Sequence, residues 1–159
     1  MAPWADVLYA ADLAWWNAAS GASEFSGLKV SQDPVAASQW GLRRVSLDRD
    51  SDRLQLDRPG TIGSGGNSGF QALNLAVQFG ARRVILVGYD MRLDLGVHWH
   101  GKHPRLMNNP SARNIERWRR CLDNAADMLA HLGTAMINCS PVSTLSRFPK
   151  MTLEEALAC

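Results

Sequence analysis

The chain has 159 residues, 46% hydrophobic and 20% charged, and Lys+Arg 17 against Asp+Glu 15 leaves a net charge of +2. That length holds one domain able to bury about two-thirds of its unfolded surface, and charges this evenly dispersed argue against a nucleic-acid partner. No apolar run approaches the ~20 residues of a membrane span and no basic leader opens the chain, so a soluble cytoplasmic protein without a membrane partner is expected.

In chain order, residues 6–10 read as a short strand and 12–20 as a helix stopped by Gly21. Of the adjacent Trp15 and Trp16, one ring is expected in the core and the other at a surface or an oligomer interface. Residues 28–31 form a second strand closed by Asp33 and Pro34, residues 35–40 a turn or two of helix, and 43–47 a third strand. Asp12 and Asp33, each following a strand, fall where loops at carboxyl ends would line a pocket. Seven charges in the twelve residues 48–59 predict a solvated excursion or edge hairpin.

The stretch 60–90 organises the rest. Gly60, Gly63, Gly65, Gly66 and Gly69 make a loop whose backbone can approach a ligand closely. Asn67 or Ser68 caps the helix that follows, leaving N–H groups free for an anion, most often a phosphate. Phe70, Leu73 and Val77 on one face, with Ala72, Leu75, Ala76 and Phe79 elsewhere, predict a helix buried nearly all round, and Gly80 ends it. Residues 84–87 are the continuous apolar run of a strand covered on both faces, as in a parallel sheet. Gly88, Tyr89 and Asp90 then lie at its carboxyl end, where such sheets place their pockets. Gly63, Gly65 and Gly69 give GxGxxxG with Asp90 21 residues on, close to a dinucleotide fingerprint, and no Lys-Ser/Thr follows as in a Walker loop.

Residues 91–110 are too long a polar connection to be idle and predict a lid or binding loop. His98, His100 and His103 lie in it as HxHxxH, with Asp94 nearby; Lys102 stands where a two-metal hydrolase motif would need aspartate. One of these histidines acting as general base is the favoured use, and a metal the lesser one. Asn109 and Pro110 open an amphipathic helix with Ile115, Trp118, Leu122, Ala125, Met128, Leu129 and Leu132 on one face; Arg117, Arg119 and Arg120 are expected on its solvated side and His131 at its last turn. Gly133 ends it, residues 134–138 form the last strand, and Thr152 with Glu155 is a capping box for a final short helix. Cys121, Cys139 and Cys159, odd in number and without CxxC, indicate neither a disulfide framework nor a cysteine metal site. Strands alternating with helices make this an α/β chain, a single Rossmann-like domain over residues 1–159 with a mainly parallel sheet and helices on both faces.

The run N-S-G-F-Q-A-L-N-L-A-V-Q-F-G-A-R-R-V-I-L-V-G-Y-D resembles the T-S-G helix and G-x-D strand of bacterial lipooligosaccharide sialyltransferases (glycosyltransferase family 42) and of the motility-accessory and hydroxymethylpterin diphosphokinase-like proteins. A-P-W-A-D-V-L-Y-A, the Trp-Trp pair, the H-W-H-G loop and the closing L-E-E-A-L resemble small phage-encoded proteins built on that pattern. The resemblance implies a Rossmann-like fold binding a CMP-type nucleotide or nucleotide-sugar, with Ser68 and Gly69 beside the nucleotide and Gly88 and Asp90 at the strand end. It implies a lid histidine as general base, drawn from His98, His100 and His103. Met91 and Arg92 stand where those sialyltransferases place tyrosines, and Arg92 would serve the leaving phosphate electrostatically. The family's opening strand and Gly-x-Gly-Pro-Ser loop have no counterpart ahead of Ala2, so a truncated or reduced nucleotide cradle is expected. The functional expectation is a nucleotide-binding group transferase, with Gly63, Gly65, Gly66, Asn67, Ser68, Gly69, Gly88, Tyr89 and Arg92 around the nucleotide and Asp90 with a histidine at the chemistry. The alternatives are a non-catalytic phage or host interaction protein, homo-oligomeric through exposed tryptophans, and a metal-dependent hydrolase using the histidine loop.

Overall fold

A computed structural model of the chain describes residues 2–96, 101 and 108–158. Its elements are β1 Val7–Tyr9, α1 Leu13–Ala18, β2 Leu28–Ser31, α2 Pro34–Trp40, β3 Arg43–Arg44, β4 Ser46–Asp48, β5 Thr61–Gly63, α3 Ser68–Gln78, β6 Arg83–Leu86, α4 Ala112–His131, β7 Ala135–Asn138 and α5 Leu153–Ala158. The pairings β1 with β2, β2 with β3, β4 with β5, and β6 with β7 are all parallel. The chain is therefore α/β, as its alternating pattern requires.

Parallel strands need cover on both faces, and the side chains divide accordingly. Leu8 of β1 packs with Trp16, Ala36 and Ala37 of α1 and α2, while Tyr9 and Val30 turn toward Leu75 of α3. Val84 and Leu86 of β6, with Met136 of β7, join Phe70, Leu73, Leu122 and Leu129 of α3 and α4. Ile85 and Ile137, on the opposite face, meet Ala156 of α5. Among the described residues no helix is long and apolar enough to cross a membrane.

Several expectations change in detail. The strand expected at 43–47 is divided at Val45: the Val45 N–H donates to the Ser31 carbonyl at 3.0 Å and the Ser46 N–H to Gly60 at 2.8 Å. Successive N–H groups of an extended chain point to opposite sides, so this stretch hands over from β2 to β5, and the described strands form three short ladders rather than one continuous sheet. Thr61–Gly63, counted with the glycine loop in the sequence, is strand β5. The apolar run ends early, since β6 stops at Leu86 and Val87 is 60% exposed ahead of Gly88 at φ +77°.

Helix α3 behaves as its sequence implies. The Asn67 carboxamide caps it by accepting from the Phe70 N–H, Gly80 follows its end at φ +87°, and no residue of the helix itself is exposed; Phe79, one residue past it, is the expected apolar contact that instead faces out. Helix α4 begins later than Asn109-Pro110 predicts. Ser111 is its cap, because Asn114 at the third position completes a capping box, accepting from the Ser111 N–H at 2.9 Å. The expected capping box of Thr152 with Glu155 is present ahead of α5.

The excursion at 48–59 is not simply solvated. Leu54 is buried in the cluster of α3 and α4. Fully buried Asn74 of α3 holds the segment: its Oδ1 accepts from the N–H groups of Gln55 and Gly63, and its Nδ2 donates to the Gln55 carbonyl. Arg117, expected on a solvated face, is instead half-buried and reaches Asp52 with Nε donating at 3.0 Å and a terminal nitrogen at 2.6 Å.

Candidate functional site

The carboxyl end of β1 meets the start of α3. The Ala11 N–H donates to Ser68 Oγ at 3.3 Å, and the Tyr9 hydroxyl donates to Gln71 Oε1 at 2.8 Å. Burial, with the Asp12 carboxylate adding to it, pushes Tyr9 well above an ordinary phenol, so it remains a proton donor. In front of this junction lies a cavity of about 590 Å³, walled by Tyr9–Asp12 and Trp15 on one side and Gly66–Ser68 on another. Asn108–Pro110, Asn114 and Trp118 close it from the end of the 91–110 connection and the first turns of α4.

The cavity opens on a helix end with unused donors. Asn67 Oδ1 is committed to the Phe70 N–H at 2.9 Å and its Nδ2 to the Gly65 carbonyl at 3.2 Å. The N–H groups of Ser68 and Gly69, first in α3, have no partner among the described residues, and such groups favour an electronegative ligand atom. Trp118 also lines the cavity, and its indole Nε1 is buried against Gly66 without a partner among the described residues. Asp12 stands at the cap position of α1 without capping it, which leaves its carboxylate free to face the cavity it lines.

The glycines have a packing reason that the sequence reading assigned to ligand approach. A Cβ on Gly65 would overlap the Phe70 ring, one on Gly66 would sit 3.0 Å from Trp118 Nε1, and one on Gly69 would sit 3.1 Å from the Tyr89 ring. A Cβ on Gly63 would overlap the Arg53 carbonyl. Glycine richness here is demanded by neighbouring rings and backbone, and of the loop residues singled out in the sequence only Gly66, Asn67 and Ser68 line the cavity.

The end of β6 is a separate place. Tyr89 is a tie: its hydroxyl donates to the Gly69 carbonyl at 3.0 Å, its N–H to Ser140 Oγ at 2.8 Å, and burial pushes it up to about 12. The Asp90 carbonyl accepts from the Thr144 N–H at 3.0 Å. Arg92 is held in a bidentate pair with Asp94, its Nε donating at 2.7 Å, and it also donates to the Val142 carbonyl at 3.2 Å. Met91, Arg92 and Asp94 line a smaller hollow of about 310 Å³ with Ile115, Glu116 and Thr144. Gly88, Tyr89, Asp90 and Arg92 are thus not brought onto the cavity at α3. His98, His100 and His103 lie outside the described residues, and among the described residues no cluster of His, Cys, Asp or Glu could hold a metal ion.

Trp15, Asn114 and Trp118 were not legible as site residues, because Trp118 falls on the apolar stripe of α4 and reads as core. Its one available signal was the indole N–H, a polar atom that needs a partner when buried. A third cavity, of about 520 Å³, lies between the 50–54 segment and α4 and is lined by Asp52, Arg53, Arg120, Cys121, Asp127 and Arg147 among others. No family model matches the chain, and neither a curated protein nor a solved structure matches it.

Proposed function

We propose that the chain binds a nucleotide or nucleotide-sugar in the cavity at the start of α3, as a group transferase of the sialyltransferase-like superfamily its sequence resembles. The observation that carries this reading is the pair of uncommitted N–H groups at Ser68 and Gly69, heading an 11-residue helix beside a cavity at the carboxyl end of a parallel strand, the position at which α/β proteins take ligands. Ser68 contacts the ligand, Gly69 lies directly behind it, and Asn67 keeps their N–H groups directed by capping the helix. The 91–110 connection ends on the cavity wall at Asn108–Pro110, and the base for an acceptor hydroxyl is drawn from its His98, His100 and His103, a role worth roughly 10² to 10⁴ in rate.

A binding protein without catalysis on the same scaffold is the second reading. It is favoured by the packing origin of Gly65, Gly66 and Gly69 and by Arg92 being already engaged with Asp94.

The test is a thermal-shift and calorimetric screen of the chain against CMP, CTP, UDP, GTP, ATP, NAD and Zn²⁺, repeated with Ser68→Ala. A ligand at 100 times its Kd stabilises the fold by about 2.7 kcal/mol. A nucleotide response weakened by Ser68→Ala supports the reading; silence across the nucleotides overturns it.

A further inference from the structure

A cation of α4 stands against the turn that leads into α3 and is tied into it. The guanidinium carbon of Arg117 lies 3.2 Å from the place a Cβ on Gly66 would take, so the missing side chain of Gly66 is what lets the two meet. Gly66 walls the cavity at α3. Nη2 of Arg117 donates to Ser64 Oγ at 3.3 Å, and the Ser64 carbonyl accepts from Gln71 Nε2 at 2.8 Å. Gln71 Oε1 in turn accepts from the Tyr9 hydroxyl, and Tyr9 belongs to another wall of the cavity. A run of hydrogen bonds therefore joins α4, the turn, α3 and β1 around the site.

A guanidinium carries five N–H donors in one plane. Nε and Nη2 are spent on the Asp52 carboxylate, at 3.0 and 2.6 Å, and Nη2 also on Ser64. The two-point grip of Asp52 fixes the plane, and Nη1 donates to no described residue. Cys121 borders the guanidinium as well, but burial keeps it a neutral thiol, which is a weak acceptor. The Arg117 side chain is 39% exposed, so its unspent edge is open to a ligand. An oriented guanidinium with donors to spare is suited to a phosphate oxygen. Asp12 repels an anion from the Tyr9–Asp12 wall, which leaves the Gly66–Ser68 wall for a ligand's charged group.

We propose that Arg117 is the residue by which this site tells a phosphorylated nucleoside from its neutral counterpart. The phosphate lies at the Gly66–Ser68 wall and takes a charge-assisted hydrogen bond from the unspent edge of Arg117, which Asp52 orients. The proposal rests on the nucleotide reading given above.

The experiment is calorimetry on the full chain with CMP and cytidine, using the wild type, Arg117→Gln, Arg117→Lys and Asp52→Asn. Circular dichroism and thermal midpoints establish that each variant is folded. In the wild type CMP is expected to bind more tightly than cytidine. Arg117→Gln is expected to weaken CMP about tenfold or more and to leave cytidine within about twofold, the scale of one charge-assisted hydrogen bond. Arg117→Lys, which keeps the charge, recovers part of the preference for CMP. Asp52→Asn, which removes the opposing carboxylate, binds CMP at least as tightly as the wild type. Equal weakening of both ligands in Arg117→Gln and in Asp52→Asn would show that the pair only props the turn, and overturns the proposal. A wild type without preference for CMP, or CMP binding unchanged in Arg117→Gln, overturns it as well; in each of these cases the nucleotide reading stands. Silence of the folded wild type toward both ligands overturns the proposal and that reading together.

Discussion

Gly66 and Trp118, 52 positions apart, share one volume: a Cβ on Gly66 would stand 3.0 Å from the indole Nε1, and Gly66 holds φ +75°. The turn into α3 and the first third of α4 are therefore fitted to each other, and the cavity takes its shape from that fit. Gly66→Ala introduces both the left-handed strain of a side chain, about 1 kcal/mol, and a contact that shifts the indole. Gly80→Ala has φ +87° with open space around it and carries the strain alone. Denaturant unfolding is expected to show Gly66→Ala as the more destabilised of the two, and ligand binding is expected to fall only in Gly66→Ala.

Asn74 predicts a larger loss. It is fully buried and satisfies two backbone N–H groups and one carbonyl of the 55–63 segment. Asn74→Ala leaves these unpaired inside the protein, at about 1 to 3 kcal/mol for a buried group left without its partner. Urea midpoints check this, and amide hydrogen exchange at Gln55 and Gly63 is expected to rise with the loss.

The pair between Arg117 and Asp52 gives a pH dependence with a definite sign. The side-chain hydrogen bond from Arg117 holds the Asp52 carboxyl below its ordinary value. A group lowered on folding contributes stability above its unfolded pKa of about 3.9 and loses it as pH falls through the folded value. Both side chains are more than a third exposed, so solvent screening limits the contribution to under about 1 kcal/mol. The stability difference between wild type and Asp52→Asn is expected at neutral pH and to vanish in strongly acidic buffer, as read by thermal unfolding across pH.

Cys121 is expected to be chemically silent in the native protein. It is 3% exposed, and burial, reinforced by the Asp52 carboxylate, pushes its thiol up to about 11. The thiolate is the reactive form, so alkylation followed by peptide mapping should label Cys121 slowly at neutral pH and quickly in denaturant. Fast native labelling would contradict the packing of α4 against the 50–54 segment.

How much of this was legible in the sequence follows the range of the interactions. The unit from Asn67 to Leu86 was readable because a cap, a buried helix, a Gly80 turn and an apolar strand are encoded within a few residues of one another. The later start of α4 was missed because Asn109-Pro110 is a good local signal that Ser111 and Asn114 outcompete with a reciprocal capping box. The handover at Val45 and the tie from Asn74 to Gln55 were hidden, since each depends on a partner 14 or more positions away. In the site, Ser68 and Asn67 could be read from capping chemistry. Asp12 was reached only as a residue after a strand, and Trp118 not at all, because an indole on an apolar stripe looks like core until its N–H is found without a partner. Asp90 and Arg92 were grouped with the glycine loop by proximity to a strand end, and the structure puts them beside Thr144 and Val142.

The claim that a ligand sits at the start of α3 is tested most directly by amide and indole chemical-shift mapping of the labelled chain titrated with CMP and cytidine. The account predicts saturable shifts at Ser68, Gly69 and the Trp118 indole N–H, with Arg120 and Arg147 unmoved. Shifts confined to the cavity of Arg53, Arg120 and Arg147, or to the hollow around Arg92, would contradict it.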